Sequence, residues 1–351
     1  MASAMAFGSR AACMVLGTIA WMMATPVPSR AEAPSVDGEV PFLTLRNKTE
    51  ADDPGDLFGT ERGGLSAGYC RARRYELQGL SRLVNAVPAF LREEFLRVEE
   101  VDISDAASLH DALGAGGAAA DAPVMFVHGY NITFEKGCRR AALFQTNAAL
   151  GGRFLWFSWP STGALALYAQ DEANLYWSVP DIADAIIELE GRFGAGVVDV
   201  VGHSLGARGV VLALEDVAYR RADVRLGEIV LLAPDMDFAI FQRMLPRIAA
   251  IAETITVYVN TGDRPLALSA ELHGYPRLGE AGNDVEALAG VEVIDVSELS
   301  AATPTRHLYH LYSEEVGEDL DQLLNGGVRA AERRSLVRTG PNTWSLREGA
   351  D

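Results

Sequence analysis

From residue 123 onward the chain alternates short, almost unbroken apolar runs with longer amphipathic stretches. The runs are PVMFVHG (123–129), RFLWFSW (153–159), GVVDVVGHS (196–204), LGEIVLLAPD (226–235), TITVYVN (254–260) and VEVIDV (291–296). Runs of this length without polar alternation suit strands buried on both faces. Helical periodicity falls between them over roughly 137–150, 171–193, 205–220 and 237–251, and again over 314–325. Together they predict a mostly parallel, doubly wound α/β sheet with helices on both faces. Only about 20 residues separate LGEIVLLAPD from TITVYVN, room for one helix and not for a large cap domain.

Upstream the pattern is weaker. Residues 68–103 hold one or two strands, with LRVEEVDI (96–103) the clearest, and the run GAGGAAADA (114–122) reads as a surface loop. Residues 34–60, rich in Pro, Gly and Asp, read as a linker, and the polar, Arg-rich segment 326–351 as a loosely attached tail. The expected globular domain is therefore 61–325.

The first 33 residues carry a separate signal. Arg10 precedes an apolar stretch over 11–24, and Ala31-Glu32-Ala33 offers a small-residue cleavage site before Pro34. This is the layout of a removable signal peptide. An apolar run of about 14 residues is short for a hydrocarbon core of roughly 30 Å. The expectation is an exported, periplasmic or secreted chain with no stable membrane insertion after processing. Cys70 and Cys138 would remain, each with only the other as an intramolecular partner, either bridged or as two thiols. Neither lies in a CxxC or near His at metal-ligand spacing, so no metal site is expected.

The formal charge of −18 argues against nucleic acid or anionic lipid as a partner. GxGxxG and GxxxxGK[ST] are absent from the first strand–helix turn, which argues against nucleotide binding. No organic cofactor is implied, and the expected partner is a small-molecule or acyl-ester substrate.

The strongest chemical signal is Gly202-His203-Ser204-Leu205-Gly206, a G-x-S-x-G between the strand VVDVV and a helical run. In that frame it is a nucleophile elbow, with Ser204 on a strained turn at the head of a helix. One strand earlier, His128-Gly129-Tyr130-Asn131 follows PVMFV where an oxyanion loop would stand. The expected donors are the backbone amides of Tyr130 and Leu205, with Asn131 as neighbour to the first. His128 reads as a packing residue. The aromatics around Phe157-Ser158-Trp159-Pro160-Ser161, with Tyr168, Tyr176 and Trp177, are candidates for pocket walls.

The acid should follow the second strand after the elbow, which places it at Asp263; Asp235 and Asp237, after the intervening strand, are the alternatives. Of six histidines, His110 and His128 precede the nucleophile, His203 belongs to the elbow, and His273 precedes the last strand. The base is therefore His307 or His310, and local composition does not choose between them.

FVHGYNITFE (126–135), FSWPS (157–161), GHSLGAR (202–208), LLAPDMD (231–237) and NTGDRPLALS (260–269) together resemble the bacterial α/β-hydrolase family DUF900, over roughly residues 60 to 325. The resemblance implies the α/β-hydrolase fold and a Ser-Asp-His set. In that family the loop histidine lies about 12 residues before an Asp-Leu pair, a relation that His307 has to Asp319-Leu320. It leaves the substrate open. A carboxylic-ester hydrolase is the leading expectation. A thioesterase, amidase or acyltransferase would use the same residues, and a catalytically silent binding protein would keep only the fold.

Overall fold

The computed structural model describes residues 38–74, 88–113 and 123–349. The expected signal peptide and the 114–122 loop lie outside the described residues. Among these residues the strands are β1 (Gly38–Lys48), β2 (Phe58–Arg74), β3 (Leu96–Ser104), β4 (Val124–Val127), β5 (Phe154–Ser158) and β6 (Asp199–His203). They continue with β7 (Leu226–Leu232), β8 (Ala252–Val259), β9 (Val291–Asp295), β10 (Leu336–Arg338) and β11 (Thr343–Leu346). They make one 11-stranded sheet in the order β10-β11-β9-β8-β7-β6-β4-β5-β1-β2-β3. Pairing is parallel from β11 through to β1 and antiparallel at β1–β2, β2–β3 and β10–β11.

All six apolar runs are strands. The main helices are α1 (Ala106–Leu113), α2 (Phe134–Asn147), α3 (Tyr168–Phe193), α4 (Leu205–Arg220), α5 (Phe238–Ile248), α6 (Arg264–His273) and α7 (Glu314–Leu324). Side chains on each strand alternate between two cores. Met125, Val127, Leu155 and Val200 pack under α3, α4 and α5 on one face. Phe126, Phe154, Trp156 and Val201 pack under α2 and α7 on the other. Helices therefore cover both faces, and near-continuous apolar sequence is what such strands require. One helix, α5, fills the β7–β8 connection. No helix among the described residues is long and apolar enough to cross a membrane.

Two boundary readings are corrected. The stretch read as a linker contains β1, buried from Val40 to Arg46 and lying inside the sheet between β5 and β2. Pro41 and the polar Thr44 and Arg46 mask its strand character. Pro41 stands one residue before the β5 register begins at Phe42, where a missing N–H is tolerated. The segment read as a loose tail forms the β10–β11 hairpin, and Thr343–Ser345 pairs in parallel with β9. Leu346 and Arg333 are buried there, with Arg333 paired to Asp319 at 2.8 Å. Cys70 on β2 and Cys138 on α2 are joined in a disulfide.

Candidate active site

Ser204 sits between β6 and α4 with φ +55° and ψ −122°. A non-glycine residue held there costs on the order of 1–3 kcal/mol, so the surroundings must impose it. They do so through the backbone. The Ser204 N–H donates to the Leu232 carbonyl at 2.9 Å, and its carbonyl accepts from Asp235 N–H at 3.1 Å. The two flanking glycines are needed for space. A Cβ on Gly202 would fall 2.5 Å from Ala207 Cα, and one on Gly206 would fall 2.2 Å from the His128 carbonyl oxygen. A Cβ on Gly129 would lie 3.1 Å from Ser204 Cβ, so the loop after β4 runs directly against the serine.

That loop is held from outside. Asn131, at φ +60°, donates its N–H to Asp171 Oδ2 at 3.1 Å. Its amide is therefore occupied. Among the described residues neither Tyr130 N–H nor Leu205 N–H has a protein acceptor. His128 packs flat on Trp159, with ring centroids 5.1 Å apart, and its Nδ1 donates to the Gly129 carbonyl at 2.7 Å. Burial, with Arg46 nearby, pushes its pKa down to about 3, so the ring is neutral. It is a packing residue, as the sequence suggests.

Asp263 follows β8 and caps α6, with Oδ1 accepting from Leu266 N–H at 3.0 Å. Its Oδ2 lies 2.6 Å from His307 Nδ1. His203 Nε2 donates to the His307 carbonyl at 3.2 Å, which ties the histidine loop to the elbow. The other candidates are engaged elsewhere. His310 is buried against Phe126, Phe144 and the His203 ring, and burial holds it well below the usual histidine range. Asp235 accepts from Tyr168 Oη at 2.5 Å and Ser269 Oγ at 2.6 Å. Asp237 caps α5 through Ile240 N–H at 3.0 Å.

The proposed pocket walls are mostly something else. Phe157 and Trp159 are core, and Ser158 and Ser161 are wholly buried. Tyr176 and Trp177 face solvent, with Arg62 over the Trp177 ring at 5.2 Å. Tyr168 is the exception: its ring meets Tyr130 edge-on at 5.1 Å beside Asp235. Ser204 is 3% exposed. A cleft of about 540 Å³ is lined by Ala270, Tyr275, Pro276 and Glu280 among others, and by none of Ser204, Asp263 and His307. No group of three or more His, Cys, Asp or Glu among the described residues could hold a metal ion.

Sequence reasoning missed Arg46 and Asp171. Arg46 is 1% exposed and reaches four oxygens: Ser158 Oγ (2.9 Å), Gly59 O (3.1 Å), Ser161 O (2.9 Å) and Ile132 O (2.7 Å). A lone arginine among apolar residues in VPFLTLR was the available signal.

A family model described as "Alpha/beta hydrolase of unknown function" (DUF900) matches residues 115–325. No curated protein matches significantly. Among solved structures, one described as a "predicted CIB-like hydrolase" from Thermoplasma acidophilum is 14% identical, covering 66% of this chain and 93% of that one, with a TM-score of 0.36. A gene product from Listeria innocua is 13% identical over 64% and 98% of the chains, with a TM-score of 0.37. A Trichoderma reesei cutinase in complex with a phosphonate inhibitor is 16% identical over 70% and 94%, with a TM-score of 0.25. With its sheet order, elbow and matched span, the chain belongs to the DUF900 family of α/β hydrolases.

Proposed function

We propose that the protein is an exported serine hydrolase, a carboxylesterase in reaction class. The observation that carries this is the 2.6 Å bond from His307 to Asp263, on loops adjoining a strained serine elbow. In this reading Ser204 Oγ attacks the ester carbonyl as His307 Nε2 takes its proton. Asp263 holds the imidazole in the tautomer with Nδ1 protonated and stabilises the imidazolium. The tetrahedral oxyanion accepts from Tyr130 and Leu205 N–H, two donors left without a protein partner. Collapse expels the alcohol, protonated by His307, and leaves an acyl-Ser204. Water, deprotonated by the same histidine, releases the acid. The Cys70–Cys138 bridge supports export, because such bonds persist in oxidising compartments.

A fluorophosphonate probe followed by a panel of p-nitrophenyl esters, thioesters and anilides tests this reading. Wild type should label at Ser204 and turn over esters, while a folded Ser204→Ala does neither. Equal labelling of both proteins would refute it, and a preference for thioesters or anilides would move the activity to thioesterase or amidase.

A further inference from the structure

The backbone of Asn131 and Ile132 is held at every polar atom by a side chain. Asn131 N–H donates to Asp171 Oδ2 at 3.1 Å, and the Asn131 carbonyl accepts from Lys136 Nζ at 3.0 Å. Ile132 N–H donates to Ser161 Oγ at 3.0 Å, and the Ile132 carbonyl accepts from Arg46 Nη2 at 2.7 Å. The four contacts are linked to one another. Ser161 Oγ–H donates to Asp171 Oδ2 at 2.5 Å, and Arg46 Nη1 also grips the Ser161 carbonyl at 2.9 Å. Thr162 N–H completes the set on Asp171 Oδ1 at 2.7 Å. The residue immediately before this clamp is Tyr130, whose amide alone in the stretch 130–132 has no acceptor among the described residues.

We propose that Arg46 and Asp171 are positioning residues that fix the 131–132 backbone so that Tyr130 N–H faces the tetrahedral oxyanion; this rests on the hydrolase reading above. An oxyanion donor works only if it is aimed before the charge develops, so rigidity in its own peptide is part of the rate. Arg46 and Asp171 are linked through Ser161 and not by a salt bridge, and both are almost wholly buried, so their hydrogen bonds are shielded from water. Arg46 lies on β1, outside the matched family span of 115–325. The strand that precedes the recognised domain therefore supplies part of its reaction geometry.

The experiment measures two things on the full mature chain. Hydrogen–deuterium exchange is followed for the peptide spanning 128–133, and ester turnover is resolved into kcat and KM. Ser161→Ala removes only one hydroxyl, and Arg46→Met combined with Asp171→Asn removes both buried charges together, so each should fold. Both are expected to speed exchange at Asn131 and Ile132 at least tenfold, and to lower kcat by about 30- to 100-fold with KM within threefold. Arg46→Lys keeps the charge but cannot reach three carbonyls at once, so it should recover thermal stability without recovering kcat. Recovery of both in Arg46→Lys, or unchanged exchange in the other variants, overturns the positioning role. A wild type that takes up no phosphonate instead overturns the hydrolase reading, and the exchange result still decides whether the clamp holds the loop.

Discussion

At the carboxyl ends of the parallel strands, Asp171, Asp235 and Asp263 are buried, and each is met by at least two donors from different elements. At the amino ends, Asp199 on β6 and Glu228 on β7 are also buried. Asp199 accepts from Glu228 N–H at 2.8 Å and Arg153 Nη2 at 3.0 Å, whereas Glu228 Oε1 meets Arg329 only at 3.4 Å and its Oε2 has no partner among the described residues. Burial pushes Asp199 up to about 6 despite Arg153 at 3.0 Å. Burial, with Asp199 and Glu292 adding to it, pushes Glu228 up to about 7 against the opposing pull of Arg329. Chain direction contributes to the difference, most directly at Asp263, which caps α6. In a parallel sheet the helices begin at the carboxyl ends of the strands, where free N–H groups and the positive ends of helix dipoles collect. They finish at the amino ends, where free carbonyls collect. One end of the sheet accepts buried carboxylates and can build chemistry from them; the other tolerates them at a cost in stability.

The largest test of this contrast lies within the carboxyl end itself. His307→Ala should lower kcat by about four orders of magnitude, as expected when a proton shuttle is lost. His310→Ala should keep kcat within a few-fold and lower the melting temperature, because it leaves a cavity beside Phe126 and Phe144. The opposite pattern would break the assignment.

A second test separates stability from reaction geometry. Replacing Cys70 and Cys138 by serine opens a bridge between residues 68 apart in sequence. In the chain-entropy model that removes roughly 4 kcal/mol, measurable by denaturant titration. kcat in the temperature range where the variant stays folded should be unchanged. A parallel loss of kcat would show that the bridge also holds the loop preceding α2.

The smallest effect belongs to the amino end. A carboxylate whose folded pKa is raised favours the folded state only while it is protonated. That contribution is present below the unfolded value near 4.5 and is lost as pH rises through about 7. Glu228→Gln should therefore leave stability unchanged near pH 4.5 and raise it by roughly 3 kcal/mol or less at pH 8. Thermal melts at the two pH values decide it. A Glu228→Gln variant that is less stable at pH 8 would place the two ends on equal terms.

Much of this was legible in the sequence, for identifiable reasons. Strands covered on both faces read as unbroken apolar runs, so β4 to β9 were visible. Ser204 and Asp263 followed from the elbow and from counting strands after it. β1 was not visible, because Pro41, Thr44 and Arg46 break its pattern and Ser158, which accepts from both Thr44 and Arg46, lies over 100 residues away. β2, FGTERGGLSAGYCRARR, is held by pairing on both edges, and its first half, with glycines at 59, 63 and 64 and charges at 61 and 62, carries no apolar alternation to read. His307 and His310 look alike locally. What separates them is Asp263, 44 residues upstream, and the aromatic wall behind His310.

The place of β1 in the sheet also bears on the order in which the molecule can be made. β1 leaves the ribosome early, yet its parallel neighbour β5 comes 114 residues later, from Phe42 to Trp156. Until then one edge of the β1–β2 hairpin has nothing to pair with, the condition in which strands find wrong partners. Cys138 precedes β5 in the chain. Once it joins Cys70, the shortest covalent path from Phe42 to Trp156 falls to about 50 residues, which lowers the entropy of closing that pair by roughly 0.8 kcal/mol. In a chain that folds with the bridge already formed, the bridge thus acts as a tether, keeping the hairpin next to α2 until β5 joins.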